Sequence, residues 1–476
     1  MESERQHYNV TLGALTLAGT AFALQQTMVV PALPVLQREL NTTTTWATWV
    51  LTVFLLVASV ATPILGKLGD QHGKERLLAI SLGLFLAGSI GCALAWDIWS
   101  LIGFRALAGT GAAVFPLSFA IIRDEFPPEK VGVGIGLVSA VFGVGGGFGI
   151  VLSGVIVDHL SWRWLFTFGS IGVALALALV VRFVPESPIK TPSRVDVPGA
   201  VLLSAGLVSF LVALTQGESW GWGSPRIAVL FVGAAVFLVA WTLVELRVPE
   251  PMVDMRMLAH RPVLFTNITA LIAGFAMFGV FVLVPNFVEL PRGLPPEIAA
   301  RVDYGFGATA TRAGLYLLPG SVVLLFAGPL AGLLGRKYGF KWPLSFGLLL
   351  ASGAAAMLAL WHDEPWQVVA SQPFLGLGVG FAFAAMATII AQSVRASETG
   401  VATGMNTVMR TVGGVIGGQL GAALLTAYTI PGTEVPSVTG FEIAFAASAI
   451  AALVGAVVAI FITRAQAGRR VAFEAA

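Results

Sequence analysis

Three ionisable residues are set apart by their positions in the sequence. Arg105 and Arg410 each interrupt a long apolar run. A guanidinium in such a run is costly, and it is usually paired or faces a wet cavity, although a snorkelling side chain near an interface is the alternative. Asp70 lies among the glycines of residues 66–73. Its carboxylate can accept charge-assisted hydrogen bonds from a helix N-terminus or from a nearby arginine.

The stretch around Asp70 has the composition of a tight connection between two helices. Its glycines permit a sharp turn and close helix approach, and basic residues follow them. A bond to the carboxylate that forms in only one conformation would bias an inward/outward equilibrium. We therefore predict a conformational gate made of Gly66, Asp70, Gly73, Lys74 and Arg76. The alternative is an ordinary basic turn with no conformational role.

Glycines and uncharged polar residues in other apolar runs form a second group of candidates. Glycines spaced four residues apart share a helix face, where another helix can approach closely and slide. We predict a conformational role for Gly145, Gly149 and Gly154, with static close packing as the alternative. Polar residues within the runs or at their ends form a further group of candidates: Gln25, Thr27, Arg105, Asn286, Glu289, Asn406 and Arg410.

Carboxylates are missing from the middle of every apolar run. The acidic residues nearest to the runs lie at or beyond their ends, and they include Glu289, Asp158, Asp124 and Glu125. We find no Ser/His/Asp set in one run, no His/Glu metal cluster and no phosphate-binding loop. The sequence accordingly predicts no catalytic residues, no metal, no cofactor and no enzymatic activity, and it lacks the selectivity ring or sensor domain of a channel or receptor.

The elements that must position these residues are membrane helices. Of 476 residues, 57% are apolar and 11% are charged, against about 25% charged residues in a soluble domain. With a mean hydropathy of +0.87, these values exclude a disordered chain, a nucleic-acid binder and an ordinary soluble enzyme. Cys92 is the single cysteine, so no intrachain disulfide forms.

Apolar runs of about 20 residues predict fourteen membrane spans in an all-α protein. The first is expected to remain uncleaved, because its leader carries Glu2 and Glu4 and lacks a basic n-region. The predicted spans lie near residues 10–34, 46–66, 77–96, 99–122, 131–157, 163–183, 197–217, 226–246, 263–288, 310–334, 342–361, 366–392, 398–427 and 441–463. Residues 249–261 have an amphipathic pattern that predicts a segment at the bilayer surface.

Basic residues predict the orientation of the spans, because cytoplasmic loops carry an excess of Lys and Arg. With both termini in the cytoplasm, six basic residues lie outside: Arg38, Arg163, Arg226, Arg292, Arg301 and Arg312. Nineteen lie inside: Arg5, Lys67, Lys74, Arg76, Arg123, Lys130, Arg182, Lys190, Arg194, Arg247, Arg256, Arg261, Arg336, Lys337, Lys341, Arg395, Arg464, Arg469 and Arg470. We expect a multi-pass protein of the cell membrane.

An internal repeat indicates two related halves. Residues 66–73 and 332–339 match at Gly, Leu, Gly and Gly, and the glycines around 145 are matched by those around 413 at nearly the same offset. Such halves are a transporter architecture with the binding site between them. We predict an N-terminal six-helix bundle at 1–184, a C-terminal one at 262–476, and a linker with two extra helices and the surface segment at 185–261.

These features resemble the major facilitator superfamily in its fourteen-span drug:proton antiporter branch. The family's loop motif is matched by Gly66, Leu68, Asp70, Gly73, Lys74 and Arg76, and its span-four motif by Arg105 and Gly109. Its span-one motif is echoed in residues 24–34, and its span-five motif is matched in part by Gly145, Gly149, Gly154 and Trp162-Arg163-Trp164. The chain departs from the branch at Gln25, where an Asp is usual, and at Ile150, where a Pro is usual.

The resemblance implies export of amphiphilic small molecules in exchange for protons. It makes Gln25, Thr27, Arg105, Asn286, Glu289, Asn406 and Arg410 the predicted substrate and proton pathway. The candidates to carry the proton are then Glu289, Asp158, Asp124 and Glu125. The partners are then a small-molecule substrate, protons and the lipid bilayer, with no nucleic acid and a monomeric protein. The alternative is a dedicated transporter of one metabolite with the same fold, without proton coupling, and fold alone does not decide between them.

Overall fold

Backbone polar groups that lie in lipid must be satisfied within their own segment, and apolar runs of this length therefore form helices. The computed structural model describes residues 2–187, 196–433 and 435–463, and over them it is all-helical. Shorter helices are Leu33–Glu39, Met255–Ala259 and Pro296–Ala299. The long helices are α1 Glu2–Thr27, α2 Thr44–His72, α3 Lys74–Ala93, α4 Ile98–Glu125, α5 Pro128–His159, α6 Arg163–Phe183, α7 Val197–Trp220, α8 Pro225–Glu245, α9 Arg261–Glu289, α10 Ala310–Tyr338, α11 Lys341–Leu360, α12 Pro365–Ser393, α13 Thr399–Ala427 and α14 Val438–Ile460.

Twelve of the long helices in the described part of the chain are long and apolar enough to cross a membrane. They are α2 to α4 and α6 to α14. The remaining two, α1 and α5, are helices of 26 and 32 residues that occupy the places of predicted spans one and five. The all-α membrane fold is confirmed, whereas the count of fourteen spans stays a prediction.

The first predicted span ends later in the chain than the helix found there. We predicted it to residue 34, but α1 ends at Thr27 and a separate short helix begins at Leu33. Two prolines, Pro31 and Pro34, lie in the intervening turn and at the start of the short helix, where proline is tolerated; inside α1 each would remove a backbone hydrogen bond.

Local sequence explains where several helices begin. Ser224 and Thr309 cap α8 and α10 by accepting hydrogen bonds from backbone N–H groups in the first turn. Asp97 and Ser100 form a capping box at the start of α4. The helices therefore start at residues that satisfy otherwise orphaned N–H groups.

Two hydrophobic cores hold the helices together. Phe22 lies at the centre of the first core, with ring contacts to Phe54, Phe85 and Phe115. The second core is built by α9 to α14, with Phe287 as its most connected ring. Between the cores, α5 packs along α10 and α2 packs against α13. These two helix pairs form the main seams between the N-terminal and C-terminal helices.

The two extra helices lie beside one of these seams. α7 and α8 pack on each other, and α7 also contacts both α2 and α13. Residues 249–261 pack on these helices. Their apolar side chains Met252, Val253 and Met257 are buried in a cluster with residues of α7, α8 and α13. The location of this segment at the bilayer surface stays a prediction.

Candidate functional site: a gate and a central cavity

A small cavity lies between the two sets of helices, with side chains from both in its wall. Its lining from the N-terminal helices is Phe22, Gln26, Leu55, Ala58, Ser59, Thr62, Ala112 and Phe115. Its lining from the C-terminal helices is Phe278, Phe383, Thr407, Val408, Arg410 and Thr411. The cavity measures about 40 Å³, enough for about three waters. The cavity thus lies where the N-terminal and C-terminal helices meet.

Asp70 closes the protein on one side of this cavity, which we call the motif side. It lies near the end of α2 with 1% of its surface exposed. Its two carboxylate oxygens accept hydrogen bonds from the backbone N–H groups of Gly400 and Val401, at 3.2 and 3.1 Å. These N–H groups belong to the first turn of α13, where the helix dipole favours a negative charge. Asp70 thus joins a helix of one half to a helix of the other.

Two glycines allow α2 and α13 to approach closely at this point. A Cβ at Gly66 would lie 2.6 Å from the carbonyl oxygen of Gly400, and a Cβ at Gly400 would lie 2.6 Å from that of Gly66. Both distances are shorter than any real Cβ contact. The glycines therefore set the helix separation at which Asp70 reaches its backbone partners.

Lys74 carries the contact network further into the N-terminal half. Its ammonium lies 3.8 Å from the Asp70 carboxylate and donates hydrogen bonds to Asp124 and, at 3.3 Å, to the carbonyl of Ala396. Both side chains of the Lys74–Asp124 pair are at most 1% exposed. Removal of one partner from a buried pair of this kind strongly destabilises the folded protein, because the other charge stays buried without its partner. Arg76, also predicted as part of the gate, is exposed.

Arg123, at the end of α4, makes contacts to the other half that we did not predict. Its guanidinium donates to the carbonyls of Val394 and Arg395, at 2.7 and 3.0 Å, and to the hydroxyl of Thr399. The sequence shows only a basic residue at the inner end of a predicted span, which the rule for cytoplasmic loops already explains. Nothing in that pattern distinguishes it from a solvated loop residue.

The loop that Arg123 contacts is itself held by a charge pair. Arg395 donates a hydrogen bond to the Glu398 carboxylate at 2.5 Å. This bond and the negative charge of Glu398 raise the pKa of the Arg395 guanidinium. The loop before α13 therefore presents its carbonyls to Arg123 in a fixed arrangement.

The second copy of the loop motif has the same backbone geometry as the first. Gly73 and Gly339 both have positive φ, at 119° and 92°, a region that L side chains rarely adopt. Their N–H groups bond to the carbonyls of Gly69 and Gly335 at 3.0 and 2.8 Å. The repeated glycines thus end α2 and α10 in the same way, while Arg336 stands in place of the gate carboxylate.

The glycines of α5 contact two different helices. Positions 145 and 149 face α1, where an added Cβ would lie 2.5 Å from the Ala23 carbonyl and 2.1 Å from the Thr27 hydroxyl oxygen. Gly154 faces α10 at Thr311. The predicted set Gly145, Gly149 and Gly154 is therefore divided between packing within the N-terminal helices and the seam between the halves.

Gln25 is not in the central cavity, where we placed it. Its side chain is buried among the N-terminal helices and accepts a hydrogen bond from Ser89 at 2.8 Å. The next residue, Gln26, lines the cavity instead. Successive residues on a helix point about 100° apart, so one amide faces the bundle interior and the other faces the cavity. Thr27 faces α5, where its hydroxyl bonds the Gly145 carbonyl.

Asn406 shows the same shift by one residue in the C-terminal half. Its amide donates to the Asn267 side chain at 3.0 Å and joins α13 to α9, while the neighbouring Thr407 lines the cavity. Asn286 is exposed and bonds the carbonyl of Val282 on its own helix, at 2.8 Å. The lining of the cavity includes neither asparagine.

The two deep arginines have different surroundings. Arg105 is fully buried within the N-terminal helices, where its Nε donates to the Val50 carbonyl at 3.1 Å and its guanidinium lies 4.0 Å from the ring centroid of Phe54. Arg410 lines the central cavity, with its guanidinium 4.1 Å from the Phe383 centroid. Of the two, Arg410 is therefore the one that can meet a molecule between the halves.

The predicted proton carriers lie away from the cavity. Glu289 is half-buried at the last residue of α9, and Asp158 accepts a hydrogen bond from Thr311 at 3.3 Å at the far end of the α5–α10 seam. Asp124 is held in the Lys74 pair. In residues 2–187, 196–433 and 435–463, no group of three or more His, Cys, Asp or Glu side chains is arranged to hold a metal ion.

Comparison with known proteins agrees with a helical bundle divided by two seams. The model of the Major Facilitator Superfamily matches residues 15–310 and 299–475. The chain belongs to this superfamily. Multidrug resistance protein 3 of Bacillus subtilis is a superfamily relative of 33% identity over 384 residues, covering 79% of this chain and 71% of that protein.

Other similar proteins extend the comparison. The tetracenomycin C resistance and export protein of Streptomyces glaucescens is 26% identical over 396 residues, or 82% of this chain and 71% of that one. The crystal structure of the human organic anion transporter MFSD10 superposes with a TM-score of 0.64 at 14% identity, covering 96% of this chain and 99% of that one. The likeness to MFSD10 shows the superfamily fold. The chain is thus a membrane transporter of this superfamily.

Proposed function

We propose that this transporter exports amphiphilic small molecules from the cytoplasm by exchange for protons, without a cofactor. The observation that supports the proposal is a cavity lined by both halves and closed on the motif side by Asp70. A carrier of this kind must open its central site to one side of the membrane at a time.

The gate contacts are of the kind that alternating access requires. Asp70, Lys74 and Arg123 all reach across to residues 394–401 of the other half. Separation of the halves on the motif side would break these bonds together, so they stabilise one conformation over the other. In this proposal, residues 1–184 and 262–476 move against each other, and residues 185–261 connect them.

Efflux and orientation rest on two further arguments. The relatives described above are named for multidrug resistance and for resistance and export. The excess of basic residues on the motif side supports the proposal that this side and both termini face the cytoplasm of a cell with the protein in its plasma membrane. Five of the basic residues behind this orientation lie outside the described residues: Lys190, Arg194, Arg464, Arg469 and Arg470. We propose that the protein works as a monomer.

Transport in proteoliposomes tests the proposal. Purified protein is reconstituted, a pH gradient is imposed, and uptake of a chemically diverse panel of dyes and antibiotics is followed with and without a protonophore. We expect accumulation of several amphiphilic compounds that collapses with the gradient. Accumulation of a single metabolite, unaffected by the protonophore, would favour the dedicated transporter. No accumulation of any compound in correctly oriented vesicles would refute export driven by protons.

A further inference from the structure

The central cavity carries one formal charge among its described lining residues, and that charge is positive. The lining includes Arg410 and no Asp, Glu, Lys or His. Arg410 is 6% exposed, so its charge acts in a medium where electrostatic interactions are much stronger than in water. A cation placed in this cavity would be repelled by the guanidinium, and an anion would be attracted.

The hydroxyl groups that line the cavity do not compete with Arg410 as donors to an anion. Ser59 donates to the carbonyl of Leu55 at 2.8 Å, and Thr407 and Thr411 each donate at 3.0 Å to the residue four positions earlier. Thr62 bonds its own helix in the same way. These hydroxyls therefore offer acceptor lone pairs to a ligand while their protons stay with the helices.

Nitrogen donors come to the cavity from two side chains on opposite halves. Arg410 carries a planar guanidinium with five N–H donors, suited to the two oxygens of a carboxylate. Gln26 brings an amide from α1. An acidic group held between Arg410 and Gln26 would contact both halves, which is the condition for coupling ligand binding to their movement.

Aromatic rings form much of the remaining wall. Phe22 and Phe115 belong to the N-terminal helices and contact each other edge-on at 5.8 Å, and Phe278 and Phe383 face them from the C-terminal helices. Rings of a ligand pack favourably against such rings in offset or edge-on arrangements. The cavity is thus apolar and aromatic around a single cationic group.

We propose that the preferred substrates of this cavity are aromatic anions, with a carboxylate or phenolate at Arg410 and the ring system among the four phenylalanines. This inference rests on the proposed export function and names its substrate class. Because the cavity measures about 40 Å³ as it stands, such a molecule binds after the halves have moved apart. Arg410 then discriminates by charge between compounds of equal size.

Two xanthene dyes of similar size and opposite charge test the proposal. Fluorescein is an anion at neutral pH and rhodamine 123 is a cation. Binding is measured by fluorescence anisotropy on the purified full-length protein, and transport is measured in proteoliposomes under a pH gradient. We expect wild-type protein to bind fluorescein about tenfold or more tightly than rhodamine 123, the ratio for a hydrogen-bonded charge.

Variants at Arg410 separate charge from shape. We expect Arg410→Gln to weaken fluorescein binding by about tenfold while leaving rhodamine 123 binding unchanged or tighter, and Arg410→Lys to restore most of the preference. Arg336→Gln, an exposed residue outside the cavity, is the matched control and should bind both dyes as wild type does. Elution of each variant from a sizing column as one symmetric peak shows that it is folded.

The possible results distinguish this inference from the proposed function. Equal affinity for the two dyes, or a preference for rhodamine 123, overturns the proposal that the substrates are anions. An equal loss of affinity for both dyes in Arg410→Gln also overturns it. Charge-selective binding without transport of any compound refutes proton-driven export and leaves the substrate class standing. Transport that is insensitive to dye charge refutes the substrate class alone.

Discussion

One carboxylate, Asp70, does at this gate what a capping residue does within a single helix. It satisfies the N–H groups of Gly400 and Val401 at the start of α13, but from a helix of the other half. An ordinary cap stabilises its own helix and stays in place. In the proposed cycle, a cap supplied by the opposite half is present only while the halves are together on the motif side. Its free energy then stabilises the conformation closed on that side relative to the open one.

Replacement of Asp70 by Asn is expected to lower transport by about tenfold, because the amide has one acceptor oxygen and no charge, so one of the two backbone N–H groups loses its partner. Membrane insertion should not change, since the helix boundaries are unaffected. Initial transport rates and the amount of protein in the membrane fraction are measured side by side. Glu297→Gln removes an exposed carboxylate elsewhere and serves as the control. Unchanged transport in Asp70→Asn would remove this residue as a gate.

Replacement of Glu289 by Gln is expected to flatten the dependence of transport on pH, if the half-buried carboxylate at the end of α9 carries the proton. The measurement is the initial rate in proteoliposomes over a series of external pH values at constant membrane potential. Asp158→Asn, at another candidate carboxylate, is measured in parallel. A full pH response in Glu289→Gln would assign the proton to another group.

The residue types at the site are better predicted from sequence than their directions. Amides on α1 and α13, Gln25 and Asn406, were expected in the cavity, but their neighbours Gln26 and Thr407 line it instead. A helix that is apolar on nearly all sides has no polar face to show which way it is turned. Its rotation is set by packing against neighbours, such as the Ser89 contact that draws Gln25 inward.

At the scale of elements, the seam between α5 and α10 depends on glycines from both helices. A Cβ at Gly136 would lie 2.3 Å from the Gly328 carbonyl oxygen, and one at Gly328 would lie 2.0 Å from that of Gly136. The backbones are therefore in direct contact, as in close helix pairs of other membrane proteins. The position of α5 in the sequence was predictable, but its partner was not, since small residues indicate a close contact without naming the other helix.

Replacement of Gly136 by Ala is expected to lower the melting temperature by a few degrees, because one methyl group must push two helices apart. Gly418→Ala is the matched control on α13, where nothing lies within 4 Å of an added Cβ. Alanine is favoured over glycine in a helix by about 0.5–1 kcal/mol, so the control should be as stable as wild type or more so. Thermal unfolding monitored by size-exclusion chromatography gives both values. Equal effects at the two positions would contradict direct backbone contact at the seam.

At the scale of the whole molecule, the two seams between the halves are held by different interactions. The motif side is held by polar contacts to residues 394–401, whereas the α5–α10 seam is held along its length by packing and ends at Asp158 and Thr311. If the halves rock about the cavity, the Asp158 end must open when the motif side closes. The internal repeat predicted two halves. It did not predict which contacts between them are charged, because nothing in the sequence distinguishes Arg123 from other basic loop residues.

A cross-link between cysteines introduced at Asp158 and Thr311 is expected to stop transport. The two side chains are in hydrogen-bond contact at 3.3 Å, within reach of a short bifunctional methanethiosulfonate reagent. The native Cys92 is buried and stays out of the reaction. Transport is measured before the reagent, after it, and after reduction, which should restore activity. The two single-cysteine variants control for the substitutions, and a cross-linked protein that transports at the full rate would contradict opening at this end.

The place of α7 against both α2 and α13 has a consequence for compounds dissolved in the bilayer. Between most helices of a carrier, a lipid-soluble molecule can drift sideways out of the hydrocarbon core into any gap that forms. We expect α7 to stay beside α2 and α13 when these two helices part, which would limit the entry of compounds from the acyl chains at this seam. The extra helix pair would then make the two seams unequal in their access to the lipid.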